Sequence, residues 1–72
     1  MISTRNRIPG KVVSVTSDRV VSEVIVETAV GKLASIITTF SVQNMQLKAG
    51  DDVIVMIKAT EAMIEKHGTE AV

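Results

Sequence analysis

Seventy-two residues suffice for one small domain whose core can bury only a modest share of the chain's surface. Eight basic and eight acidic side chains cancel, which removes the net positive field that holds long polyanions, and Phe40 is the sole aromatic residue, which argues against the stacking platform of a single-strand binder. With no cysteine and a single histidine, His67, the chain has neither disulfides nor an obvious structural metal site to supplement its core, so self-association is the support left to it.

Apolar residues make up 46% of the chain and are mostly Val, Ile, Leu, Met and Ala, a β-branched set that favours strands. Residues 8–16, with Val12, Val13 and Val15 behind a Pro9-Gly10 bend, read as a first strand carrying valine on both faces. Ser17-Asp18-Arg19 makes a turn. Residues 20–28 then alternate Val20, Ser22, Val24 and Val26 against Val21, Glu23, Ile25 and Glu27, the pattern of a half-buried strand. Ala29-Val30-Gly31 reverses the chain into a third strand, 32–38, which completes a meander. In 39–47, Thr39 or Ser41 can cap a short helix that shows Val42 and Met45 on one side. After the Lys48-Ala49-Gly50-Asp51 turn, 52–58 forms a fourth strand, and a short fifth is expected near 62–65. The domain is taken as 1–66, with 67–72 a polar C-terminal tail. An all-β, OB-like five-stranded Greek-key barrel with one short helix between strands 3 and 4 accounts for this order.

Apolar side chains on both faces of several strands point to contacts with further copies of the chain. No apolar run reaches the roughly 18 to 20 residues that cross a bilayer, and the N-terminus lacks the apolar stretch of a signal peptide. A cytoplasmic protein with no membrane partner is expected. No DNA-binding segment precedes the domain in this sequence, so a stand-alone regulator is not expected.

Catalysis has little to rest on. His67 lies in the tail, Glu23 and Glu27 lie on an exposed strand face, and Asp51-Asp52 belongs to a turn. Hydrogen-bond donors free of acid stand out instead: Ser3-Thr4-Arg5-Asn6 at the start, Lys58-Ala59-Thr60 near the end, and Thr38 closing the third strand. A compact tetrahedral oxyanion presents only acceptor oxygens, so its site needs guanidinium, ammonium, hydroxyl and backbone N–H groups. Residues two apart on an extended chain point the same way, which groups Ser3 with Arg5 and Lys58 with Thr60.

Ser3-Thr4-Arg5-Asn6, Gly10-Lys11-Val12-Val13-Ser14, Ser35-Ile36-Ile37-Thr38, Leu47-Lys48-Ala49-Gly50-Asp51 and Ile57-Lys58-Ala59-Thr60-Glu61-Ala62-Met63 together resemble the molbindins, a Mop-type, TOBE-like family. The resemblance implies a barrel that assembles into dimers and then a hexamer, with molybdate or tungstate held at subunit interfaces for storage, buffering or delivery. It assigns Ser3 and Arg5 as opening anion donors, Lys58 as the basic ligand after the fourth strand, Ala59 and Thr60 as backbone and hydroxyl donors, and Thr38 as a threonine from the neighbouring subunit. The resemblance also implies that molybdenum is bound as an oxyanion, with no protein-held metal ion. Where many members carry Gly-Ala-Val-Asn-Ala-Glu, this sequence has Asp18-Arg19-Val20-Val21-Ser22-Glu23, which puts any second class of site on that loop in doubt; Phe40 also replaces an expected polar residue. Two other readings compete: a nucleic-acid-binding OB module, and a structural oligomerisation domain without a ligand.

Overall fold

The computed structural model describes residues 5–68. Four antiparallel strands form one sheet: β1 (Arg5–Ser17), β2 (Val21–Thr28), β3 (Gly31–Thr38) and β4 (Asp52–Lys58), in the order β3-β2-β1-β4. Three strands joined by hairpins, with the fourth returning beside the first, make a Greek key. A short helix, α1 (Thr39–Met45), lies between β3 and β4, and a 3₁₀ turn, Ala59–Glu61, follows β4.

The central strand is longer than the sequence suggests. The Pro9-Gly10 pair does not precede β1 as a bend but lies within it, with Pro9 opposite Ile54 and Gly10 opposite both Val53 and Thr28. Before Gly10, β1 pairs with β4 alone among the described residues, so its other edge has no ladder that would need the N–H proline lacks. Past Lys11 it continues with β2, and a register shift between Val12 and Ser14 leaves Val13 without a β2 partner. This β-bulge explains the crowded valines: Val12 faces Val26 and Val15 faces Val24, so residues three apart share the inner face while Val13 is turned out.

Val12, Val24 and Val26 are buried with Val42 of α1, and Val15, Ile37, Leu47, Val53 and Val55 pack against them. The helix closes one end of this core. Its cap is Thr38, one residue earlier than expected: the Thr38 hydroxyl accepts from Ser41 N at 3.1 Å and donates to Ser41 Oγ at 2.8 Å. Gln46, at φ 53°, ends the helix in the left-handed region. A chain of hydroxyls fastens α1 to the sheet: Ser17 and Ser22 lie 2.6 Å apart, Ser22 and Thr39 2.8 Å, and Thr39 Oγ1 donates to the Asp18 carbonyl at 2.8 Å. Ser22 is wholly buried, and this chain satisfies its hydroxyl.

The fifth strand expected near 62–65 is not formed. Beyond Ala59–Glu61 the described chain carries no further strand, and Met63 and Ile64 stand 72% and 70% exposed. A strand persists only where its backbone groups find partners, and among the described residues none pairs with this segment. The barrel is consequently open between its edge strands β3 and β4, where Ser35, Ile37, Leu47, Val53 and Val55 line an apolar groove of about 450 Å³.

Two turns are built around aspartates. Asp18 Oδ1 accepts the N–H groups of Val21 and Val20, both at 2.8 Å, and Asp51 accepts the backbone N–H and the ammonium of Lys48 at 3.0 and 3.1 Å. These bonds hold both carboxyls below their ordinary pKa, the backbone N–H of Val21 contributing most at Asp18 and that of Lys48 at Asp51. A depressed carboxyl contributes stability that is fully present above its unfolded pKa and is lost as pH falls through the folded value. Stability is expected to stay level near neutrality and fall below about pH 4. In acid titration followed by circular dichroism, Asp18→Asn and Asp51→Asn should each flatten that fall.

Candidate functional site

Antiparallel pairing of β1 with β4 places Arg5 directly opposite Lys58, then Asn6 opposite Ile57, Arg7 opposite Met56, Pro9 opposite Ile54 and Lys11 opposite Asp52. Alternation along both strands assigns Ile8, Val53 and Val55 to the inner side, and Arg5, Arg7, Lys11, Lys58 and Asp52 to the outer face.

Elsewhere on this outer face, charges alternate. Asp52, Lys11, Glu27 and Lys32 follow one another across β4, β1, β2 and β3, and Lys11 Nζ lies 2.9 Å from Asp52 Oδ1. The end of the ribbon breaks that rule. Arg5 and Lys58 are both exposed and directly opposed, and among the described residues neither side chain has a hydrogen bond or ion pair. Like charges opposed across strands are destabilising, and an anion between them reverses the sign of the interaction.

The rest of the donor set is partly assembled. Ala59 and Thr60 open the 3₁₀ turn that Lys58 caps, with Lys58 extended at φ −61° and ψ 141°. The first N–H groups of such a turn have no partner within it, so the backbone adds donors beside the ammonium. Ser3 lies outside the described residues. Thr38 is not brought to the cluster within one chain: it pairs with Val21 near the Ser17 end of β1, whereas Arg5 begins that strand. Its hydroxyl is moreover engaged with Ser41.

One residue that sequence reasoning left aside holds the site's geometry. Asn6 Nδ2 donates to the Ile57 carbonyl at 3.2 Å, clamping β4 to β1 between the Arg5–Lys58 and Arg7–Met56 pairs. Its signal lay in the opening tetrad, but the carbonyl it meets could not be named before the register was known. Among the described residues, no group of three or more His, Cys, Asp or Glu could hold a metal ion. The cluster is one of cations and neutral donors.

A small Greek-key sheet with a cationic strand end agrees with the comparison to known families: the TOBE domain matches residues 2–64, and the chain belongs to that family. Within it, the chain is 42% identical over 64 residues to molybdenum-pterin-binding protein 3 of Clostridium pasteurianum, covering 88% of this chain and 94% of the relative. Molybdenum-pterin-binding proteins 1 and 2 of the same organism are each 41% identical over the same shares. The solved apo structure of MopII from Clostridium pasteurianum superposes with a TM-score of 0.82 at 39% identity, covering 92% of this chain and all of that one. The OB-like fold is therefore shared, although four strands and not five are formed within the single described chain. The relatives are named as binding proteins, and the chain is likewise a binding protein and not an enzyme.

Proposed function

We propose that this protein captures molybdate or tungstate reversibly at interfaces between its own copies, as a cytoplasmic store, buffer or delivery protein. The observation that carries the reading is the Arg5–Lys58 pair, two unpartnered cations fixed opposite each other by the β1–β4 register. Arg5 and Lys58 supply charge-assisted hydrogen bonds; Ser3, Thr60 and the N–H groups at Ala59 and Thr60 set the size of the cage. Thr38, remote within one chain, joins from a neighbouring copy. Association into dimers and then a hexamer also covers apolar surface that one chain leaves open, including Met63, Ile64 and the groove between β3 and β4. Molybdenum-pterin-binding relatives support the choice of ligand. Molybdate is preferred to sulfate because the shorter anion cannot reach every donor at once.

Isothermal titration with molybdate, with sulfate as control, tests this. Tight molybdate binding that Arg5→Ala combined with Lys58→Ala weakens by about a hundredfold or more is expected, since each charged hydrogen bond contributes roughly 1.5 to 3 kcal/mol. Equal affinity for sulfate, or no binding by an intact oligomer, would sink the reading.

A further inference from the structure

We propose that Arg7 is a third cation of the oxyanion site and sets its selectivity for anion charge, favouring tetrahedral dianions over monoanions of the same size. The inference rests on the oxyanion reading above.

Arg7 lies two residues beyond Arg5, on the same outer face of β1 and about 7 Å along the strand. It faces Met56, which lies two residues before Lys58 on β4. The three cations form one group at the end of the ribbon. Lys11, the next basic residue on that face, is neutralised by Asp52, whereas no carboxylate stands opposite Arg7. Arg7 Nη1 donates a hydrogen bond to the Met56 thioether sulfur at 3.6 Å. A thioether is a weak, uncharged acceptor. It steers the guanidinium across the ribbon toward β4 without cancelling its charge.

Arg5 and Lys58 together carry the charge that a dianion brings. A third positive charge adjoining them acts mainly at longer range, through an interaction proportional to the ligand's charge and hence twice as large for a dianion. Size selectivity then comes from the close donors and charge selectivity from Arg7. The two can be separated with perrhenate, a tetrahedral monoanion close in size to tungstate and molybdate.

Titration calorimetry of the full chain with tungstate, molybdate and perrhenate, in wild type, Arg7→Gln and Arg7→Lys, tests this. Arg7→Gln should lower the ratio of tungstate to perrhenate affinity about fivefold. Arg7→Lys should retain most of that ratio, because it keeps the charge and gives up only the fork. An unchanged ratio in Arg7→Gln, or an equal loss for both anions, would overturn the inference, the second marking a purely structural role. If Arg5→Ala with Lys58→Ala abolishes binding while Arg7→Gln leaves the ratio intact, the oxyanion reading stands and this one falls. Wild-type protein that binds none of the three anions overturns both.

Discussion

Lys58→Glu is expected to raise the thermal midpoint of the anion-free protein while abolishing its oxyanion binding. The register that opposes Arg5 to Lys58 puts two positive charges across neighbouring strands, in contrast to the alternation seen along Asp52, Lys11, Glu27 and Lys32. Reversing one charge turns a repulsive cross-strand pair into an attractive one. Both side chains are exposed, so the gain is modest, about 0.5 kcal/mol after solvent screening, or roughly 2 to 4 °C in a domain of this size. The effect on binding is far larger, because a cation contact to the ligand is replaced by repulsion. Thermal melts followed by circular dichroism, paired with molybdate titrations, check both halves. A lowered midpoint would show that the two side chains do not repel in the free protein, and would remove the main physical argument for an anion site there. Opposite movements of stability and binding are what a site built at the expense of the fold should give.

Gly10→Ala should be strongly destabilising, because the added methyl group has no room. A Cβ at Gly10 would lie 2.5 Å from Val26 Cγ1, 2.6 Å from the Glu27 carbonyl oxygen and 2.9 Å from Thr28 Cγ2. Val26 belongs to the small buried core, and the Glu27 carbonyl belongs to β2, so neither can yield without moving the sheet. Gly10 is also where β1 meets both β2 and β4, which makes a local shift a shift of the whole sheet. Overpacking of this kind costs about 2 to 3 kcal/mol, enough to lower the thermal midpoint by roughly 10 °C or more. Urea unfolding should show a lower midpoint at an unchanged slope. A midpoint within experimental scatter of wild type would mean that β1 and β2 are less closely apposed than described.

The strands that alternate cleanly were legible in the chain itself. Val24 and Val26 against Glu23 and Glu27 define β2, and Val53 and Val55 define β4, because a half-buried strand leaves a period of two in its sequence. The bulge at Val13 leaves no such mark: three valines in four positions read as two apolar faces until the register shows one of them displaced. Pro9-Gly10 misled for a related reason, since the pair that usually bends a chain is here tolerated by an open edge and required by a close approach. Residues 62–65 have strand composition but no partner within the described chain, and composition does not report partners. The candidate site was legible only as residue types, Arg5 and Lys58 above all. Their opposition was not, because it is a property of the pairing of segments more than fifty residues apart. Arg7 had an available signal, its place two residues after Arg5, but its neutral neighbour Met56 becomes known only from the register.

The Arg5–Lys58 pairing also bears on how the protein comes to be folded. The β1–β2 and β2–β3 hairpins close through short turns, whereas bringing Arg5 to Lys58 closes a loop that contains almost the whole domain. The entropy of closing so long a loop places this contact late in folding, after the hairpins and the core they share with α1. On the proposed reading, an oxyanion that bridges the two strands acts as a clasp on the last seam to form, and partly folded chains, which lack that seam, have no such site with which to compete for the ion.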